Sequence, residues 1–216
     1  RNMEIRASSS VINKVITNLI PTFDVALATK YEPKFCDFEN EEWLASRKLD
    51  GVRCIIRKEG DKVTAYSRQG NEFTTLQKVL DDVKLMPGDF VLDGEICLMD
   101  ENGNEDFQGI MKQIKRKDHT IANPKYVMFD YLTKKEFDSK EGNATLTERI
   151  ARFHKISGNI AHTECLGVLL QDVVTDDDHF ARLSKDAEEK GFEGLMLRKN
   201  VGYEGKRSQN LLKVKK

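Results

Sequence analysis

A strong net charge, a long apolar run and a cysteine framework are all missing from this sequence of 216 residues. Lys and Arg number 35 and Asp and Glu number 36, which gives a formal net charge of -1. Because a chain that grips nucleic acid over a wide surface is usually basic, this balance argues against an autonomous nucleic-acid binder. No apolar run approaches the roughly 20 residues that span a bilayer, and no signal-peptide pattern is present. We therefore expect neither a membrane protein nor a secreted one.

Cysteine is scarce, and its spacing excludes the common zinc patterns. The four residues are Cys36, Cys54, Cys97 and Cys165, and no two of them have metal-ligand spacing. Cys54 and Cys97 lie within apolar, strand-like runs, so we predict that both are buried thiols. Free thiols fit a reducing compartment, and we expect an intracellular protein of the cytoplasm, the nucleus or a host-cell cytoplasm.

The residues that are present predict strands arranged mostly as neighbours along the chain. Apolar residues make up 39% and charged residues 33%, which is typical of a globular protein with a sizeable core. A hairpin is predicted from VRCIIRK and KVTAYS, at 52–58 and 62–67. We predict an α+β domain built on largely antiparallel sheets flanked by helices. Further strands are predicted at 89–99, 125–132, 167–174, 192–199 and 211–215, and helices at 8–20, 75–85 and 105–117.

Two more helices are predicted from their capping residues. Thr145 and Glu148 form a capping-box pattern that opens a helix to about residue 157. Thr175 with Asp178 indicates another helix start, and Gly191 its C-terminal cap.

The tetrapeptide Lys48-Leu49-Asp50-Gly51, followed by Arg53, is the first candidate for chemistry. A lysine amine attacks phosphorus only when neutral, and with an ordinary pKa near 10.4 about one lysine in a thousand is neutral at pH 7. Neighbouring cations lower that pKa and produce a nucleophile. Taken alone, the tetrapeptide is more often a surface lysine before a turn.

Two carboxylates stand inside otherwise apolar strands, at Glu95 and Glu193. A buried carboxylate without a partner costs several kcal/mol, so each needs a cation. Mg²⁺ with bound phosphate is one such partner. An ion pair across the sheet is the other, and it is common for one such residue but less so for two.

The order of the motifs resembles that of the covalent nucleotidyltransferases, namely ATP-dependent DNA ligases, RNA ligases and mRNA-capping guanylyltransferases. KLDGVR is similar to the nucleophile motif of these enzymes, and the later motifs follow in order from about residue 24 to the end of the chain. The resemblance implies the nucleotidyltransferase fold, that is, the ATP-grasp-like catalytic fold of DNA ligases. The later motifs are SRQG, LDGEI, MFDYL, EGLMLR and LLKVKK.

The resemblance also implies a role for each matching residue. Lys48 would attack the α-phosphate of ATP, release pyrophosphate and hold AMP as a phosphoramidate. Phe129 would stack on the adenine, although a phenylalanine on a strand is more often a core residue. Arg53 and Glu95 would bind the ribose, and Arg68 would lie near a phosphate of AMP or of the nicked strand. The remaining implied contacts are Glu193 and Glu95 to Mg²⁺, and Lys213 and Lys215 to the α-phosphate.

Within the superfamily, the resemblance favours an ATP-dependent DNA ligase acting on nicked double-stranded DNA in repair, replication and recombination. EGLMLR and KVKK are more similar to DNA ligases than to capping enzymes, and VALATKYEP at 25–33 resembles the segment before the nucleophile strand, without the usual Pro-Met. An RNA ligase, a GTP-dependent capping guanylyltransferase and a non-catalytic binding module are the alternatives. We expect a monomer.

The resemblance further implies a division of the longer protein into domains. Residues 1–22 are similar to the junction leaving an N-terminal helical DNA-binding region, and residues 23–216 correspond to the adenylation domain. A C-terminal OB-fold domain that carries a further basic motif is expected from the family and is absent from this sequence.

Overall fold

A computed structural model of the chain describes residues 23–215, so the predicted helix at 8–20 and the predicted junction at 1–22 lie outside the described residues. Within them, strands form two sheets and helices pack on the outside. The strands are β1 (Leu27–Lys30), β2 (Trp43–Arg47), β3 (Val52–Glu59), β4 (Lys62–Tyr66), β5 (Glu72–Phe73), β6 (Phe90–Cys97), β7 (Lys125–Leu132), β8 (Leu166–Val168), β9 (Asp172–Val173), β10 (Gly194–Lys199) and β11 (Arg207–Lys215). The helices are α1 (Gln77–Lys84), α2 (Phe107–Gln113), α3 (Lys134–Ser139), α4 (Leu146–Ser157) and α5 (Asp177–Glu189).

The strand order confirms the predicted α+β class with largely antiparallel sheets. The first sheet has the order β1-β11-β10-β2-β9 and the second the order β5-β4-β3-β6-β7-β8. Only the pairs β1–β11 and β7–β8 are parallel among the described strands. No helix within residues 23–215 is both long and apolar enough to cross a bilayer.

The predicted hairpin forms because its turn residues allow it. β3 and β4 pair antiparallel up to Glu59 and Lys62, and Gly60 takes φ +57°, a conformation that glycine adopts without steric cost. Thr145 and Glu148 form the predicted capping box of α4. Gly191 takes φ +71° directly after α5, as predicted for a helix end.

The single strand predicted at 167–174 is wrong. The structure has two short strands, β8 in the second sheet and β9 in the first, joined by residues 169–171. The run changes sheet because its apolar residues belong to different cores. Leu169 packs beside Phe129, whereas Val174 packs beside Trp43.

Other predicted bounds also differ from the structure. α5 is capped by Asp176, which accepts a hydrogen bond from the His179 backbone at 2.7 Å, and Thr175 lies outside the cap. The helix predicted at 105–117 is shorter, since Asp106 caps it and α2 ends at Gln113. β11 begins at Arg207, four residues before the predicted strand.

Separate apolar cores support the two sheets. The second sheet covers a core with Ile56, Leu92 and Phe153, while the first packs on Trp43 and Leu197. The predicted buried thiols Cys54 and Cys97 are both buried. The sheets thereby present their other faces to each other.

Candidate functional site

A cavity of about 270 Å³ lies between the two sheets and collects most of the predicted site residues. Strands from both sheets contribute side chains, because successive residues of a strand point to opposite faces. On β10, Met196 and Arg198 face the cavity while Leu195 and Leu197 are buried on the other side. The predicted site residues that line the cavity are Lys48, Arg53, Arg68, Glu95, Phe129, Lys213 and Lys215.

Glu193 forms ion pairs with two of the lysines of the site. The Lys48 Nζ is 2.9 Å from Glu193 Oε2, and the Lys215 Nζ is 2.8 Å from Glu193 Oε1. Burial alone would raise the pKa of Glu193, but the hydrogen bonds from Lys215 and Lys48 outweigh it and hold the pKa below its ordinary value. We call Lys48, Glu193, Lys213 and Lys215 the lysine cluster.

The backbone fixes the position of Lys48. Its N–H donates to the Gly194 carbonyl at 2.9 Å, which places Lys48 beside Glu193 at the end of β10. The chain then runs close along β6, where a Cβ added to Gly51 would lie 2.4 Å from the Ile96 carbonyl oxygen. Only glycine fits that approach, which explains its place three residues after the lysine.

Arg53 and Glu95 lie opposite each other on β3 and β6, but Arg53 is paired with a different carboxylate. Its guanidinium donates to both oxygens of Asp93, at 2.6 and 2.5 Å. Burial raises the pKa of Glu95 to about 7, although Arg53 and Lys48 counteract the rise. Asp93 lies in the motif LDGEI, and the sequence predicts no role for it.

One wall of the cavity contains the largely buried aromatic ring of Phe129. Phe129 on β7 is 7% exposed and packs against Leu49, Cys97 and Leu169. It is therefore a core residue and a cavity-lining residue at once. Gln171 and Arg198 contact it, and we call Phe129, Leu169, Gln171 and Arg198 the aromatic wall.

Arg68 stands apart from the other predicted residues. It is exposed, in the turn between β4 and β5, and lines both the cavity and a neighbouring groove that also contains Lys206 and Arg207. Arg68 is thus at the rim of the cavity, where a group entering from the groove would pass it.

The structure shows contacts that the sequence did not predict. Arg47, directly before Lys48, binds Glu105 through two contacts of 2.6 and 2.7 Å. This pair ties the first sheet to the segment before α2. Asp50 lies close enough to Glu193 that burial and the charge of Glu193 raise its pKa. Within residues 23–215, no group of three or more His, Cys, Asp or Glu side chains has the arrangement of a metal site.

The family is decided by comparison with known proteins. The family model described as the ATP dependent DNA ligase domain matches residues 25–215. The chain belongs to this family. The ligase domain is 26% identical to the DNA ligase of Enterobacteria phage T4, in a match that covers 100% of the chain and 53% of that protein. It is 28% identical to the SPbeta prophage-derived DNA ligase-like protein LigB of Bacillus subtilis, over 82% of the chain and 62% of that protein.

Solved structures agree with this assignment. Pmar-Lig_Pre superposes with a TM-score of 0.81 at 26% identity, over 98% of this chain and 51% of that one. The ATP-dependent DNA ligase of bacteriophage T7 in complex with ATP has a TM-score of 0.68 at 16% identity, over 89% and 68% of the two chains, and shows the shared fold. The predicted nucleotidyltransferase fold and ligase family are confirmed. The ligase domain spans about half the length of the T4 relative and less than two thirds of the Bacillus one.

Proposed function

We propose that Lys48 of this ligase domain is the residue that carries AMP, and that the AMP passes to a nick in double-stranded DNA. The Lys48 Nζ attacks the α-phosphorus of ATP and loses a proton, and the bond to the leaving pyrophosphate breaks. A 5′-phosphate oxygen of the nick then attacks the same phosphorus and frees the lysine. Finally the 3′-hydroxyl attacks the 5′-phosphate, which closes the phosphodiester and releases AMP.

The position of Lys48 is the observation that carries the proposal. Its amine lies in the cavity between the sheets, and Lys213 and Lys215 line the same cavity. In the structure, the Lys48 Nζ pairs with Glu193 Oε2 at 2.9 Å. The phosphates of ATP would attract Lys215 and Lys213, and their oxygens would gain stabilisation as charge develops on them.

The carboxylates Glu193 and Glu95 suit Mg²⁺. This metal is usually held by one or two protein carboxylates, with substrate phosphates and water as the other ligands. Glu193 has both oxygens directed at lysines of the cavity, where the phosphates of ATP would compete for those lysines. When bound, the ion would orient the phosphates and offset their charge.

The remaining cavity residues have roles in the same proposal. Phe129 stacks on the adenine, and Arg53 and Glu95 contact the ribose. Arg68 at the rim meets a phosphate of AMP or of the nicked strand. Two features support this arrangement, namely that all four residues line one cavity and that this cavity ends in an aromatic wall.

The first test is the intact mass of the protein after incubation with Mg²⁺ and either ATP or GTP, beside Lys48→Ala. We expect a gain of one AMP with ATP only, and no gain in the variant, since its alanine has no amine. A gain of GMP would indicate a capping guanylyltransferase instead. The absence of any adduct on both this chain and a protein extended through the expected OB-fold domain would contradict the enzyme proposal and favour a binding module.

Nicked substrates separate DNA ligase from RNA ligase. Protein that carries AMP is mixed with a nicked DNA duplex or a nicked RNA duplex, and transfer of AMP to the 5′-phosphate is measured. We expect transfer to DNA. Transfer to RNA alone would replace the proposed substrate.

The surroundings of the domain belong to the same proposal. Residues 23–216 are the adenylation domain, residues 1–22 are the junction to a helical DNA-binding region, and an OB-fold domain follows in the longer protein. The protein acts as a monomer inside the cell, or in the host cell if it is viral.

A further inference from the structure

Arg198 is a buried cation without a carboxylate partner within the described residues. It is 9% exposed, and its Nη1 donates to the Ser46 hydroxyl at 2.9 Å and, at a long 3.5 Å, to Gln171 Oε1. The neighbouring buried arginines are paired, Arg53 with Asp93 and Arg149 with Asp130. A buried charge without an ion-pair partner lowers stability, so its contribution to the fold does not explain the presence of Arg198.

The guanidinium of Arg198 instead contacts an aromatic ring. Its Cζ lies 4.4 Å from the centroid of Phe129, closer than the Cζ of Arg53 at 5.3 Å. A guanidinium at this distance over a ring is attracted by the negative face of the ring, more strongly when both are removed from water. Burial is the main reason that the pKa of Arg198 falls to about 10, and the charge of Arg53 adds to the effect.

Gln171 links the ring and the guanidinium. Its Nε2 donates to the Phe129 carbonyl at 2.9 Å, while its Oε1 faces Arg198. The glutamine thus holds the backbone of Phe129 from the segment that joins the two sheets. Residues from β7, from β10 and from the segment between β8 and β9 therefore meet at this point.

Phe129 needs such support because there is free space next to it. A second cavity of about 50 Å³ is lined by Phe129 and Arg198 as well, together with Asp93 and Tyr203. A cavity needs about 10–15 Å³ by this measure to hold one water molecule, so this one is large enough. Phe129 therefore lies between two spaces, and it is not enclosed by packed side chains on every side.

We propose that Arg198 is a positioning residue that holds the Phe129 ring flush with the nucleotide cavity, with Gln171 fixing both. The inference rests on the proposed function, in which Phe129 stacks on the purine. Arg198 acts through the ring, so its loss weakens the capture of ATP more than the attack by Lys48.

The test compares Arg198→Met, Phe129→Ala and the double variant in single-turnover formation of lysyl-AMP. We expect Arg198→Met to raise the ATP concentration for half-maximal rate about tenfold and to change the maximal rate less than threefold. In the Phe129→Ala background the same substitution should change the half-maximal concentration less than twofold, because contacting residues are not additive. The melting temperature of Arg198→Met should equal or exceed that of the wild type.

Two further variants keep the result interpretable. Arg198→Lys retains the charge without the planar guanidinium and should show part of the defect. Arg57→Met removes a guanidinium that pairs with Asp138 far from the cavity, and it should leave the ATP dependence unchanged.

Three results would overturn the proposal: an unchanged ATP dependence in Arg198→Met, an equal effect with and without Phe129, or a fall in melting temperature that accounts for the defect. Failure of the proposed function is recognised separately, because the wild-type protein would then form no lysyl-AMP.

Discussion

The lysine cluster and the aromatic wall both contribute side chains to one cavity, and they differ in how their charges are balanced. In the lysine cluster, charges are partly exposed and Glu193 neutralises Lys48 and Lys215. In the aromatic wall, Arg198 is buried and makes no ion pair within the described residues, and its shortest hydrogen bond is to the Ser46 hydroxyl. The phosphates of ATP would compete for the ion pairs of the cluster, whereas the wall offers an apolar ring with a buried guanidinium beside it. The difference indicates that the cavity combines a part suited to phosphate with a part suited to a purine ring.

The largest expected effect is on the rate of lysyl-AMP formation, and it comes from a substitution in the lysine cluster. Lys213 makes no ion pair within residues 23–215, so its charge is available to the α-phosphate. We expect Lys213→Met to slow the formation of lysyl-AMP about 100- to 1000-fold, the usual cost of losing one group that stabilises developing charge. The rate is measured in single turnover at saturating ATP.

Lys30→Met is the matched control, because Lys30 is the register partner of Lys213 on β1 but is exposed and does not line the cavity. An equal loss in both variants would mean that general charge on this sheet, rather than Lys213, sets the rate.

The next largest effect is on the ATP dependence, and it comes from removing the ring of Phe129 from the aromatic wall. Base stacking on an aromatic side chain contributes about 1–3 kcal/mol, so Phe129→Ala should raise the ATP concentration for half-maximal rate about 10- to 100-fold. The maximal rate should fall less, because the lysine cluster is intact. Phe129→Leu, which keeps an apolar side chain at this core position, separates lost stacking from a collapsed wall. If both variants bind ATP normally, Phe129 is a core residue only.

The two parts also differ in how far the sequence predicts them. The lysine cluster was predictable because phosphate chemistry needs particular residue types, and these stand in motifs. The aromatic wall was predictable only at Phe129. The sequence predicts one strand at 167–174. The contacts of Gln171 instead depend on the chain changing from one sheet to the other there.

The sequence around Arg198 does contain a signal for its position. It is a charged residue that directly follows the apolar run Leu195–Leu197 of β10, at a position that alternation directs into the cavity. Long-range pairs such as Arg47 with Glu105 had no signal of this kind, since the two residues are 58 positions apart. Such contacts depend on the packing of two sheets, which local patterns do not specify.

The last prediction distinguishes Glu95 from Glu193 by how the free energy of unfolding depends on pH. The pKa of Glu95 is about 7 in the folded protein and near 4.5 ordinarily, so between pH 4.5 and 7 the folded protein holds a proton that the unfolded chain has released. The free energy of unfolding should therefore fall as pH rises through this window, by at most about 1.4 kcal/mol per pH unit.

Urea unfolding of the wild type and Glu95→Gln at pH 5, 6 and 7 measures this slope, since the variant lacks the titrating group. Glu193 should give a pH dependence of the opposite sign, with stability rising as pH rises, because its pKa lies below the ordinary value. Its ion pairs stabilise the fold above the unfolded pKa and are lost as pH falls through the folded one, so Glu193→Gln should differ from the wild type less at acid pH than at neutral pH. If the difference between the wild type and Glu95→Gln does not change from pH 5 to 7, Glu95 is not buried as a protonated acid, and the contrast between the two carboxylates fails.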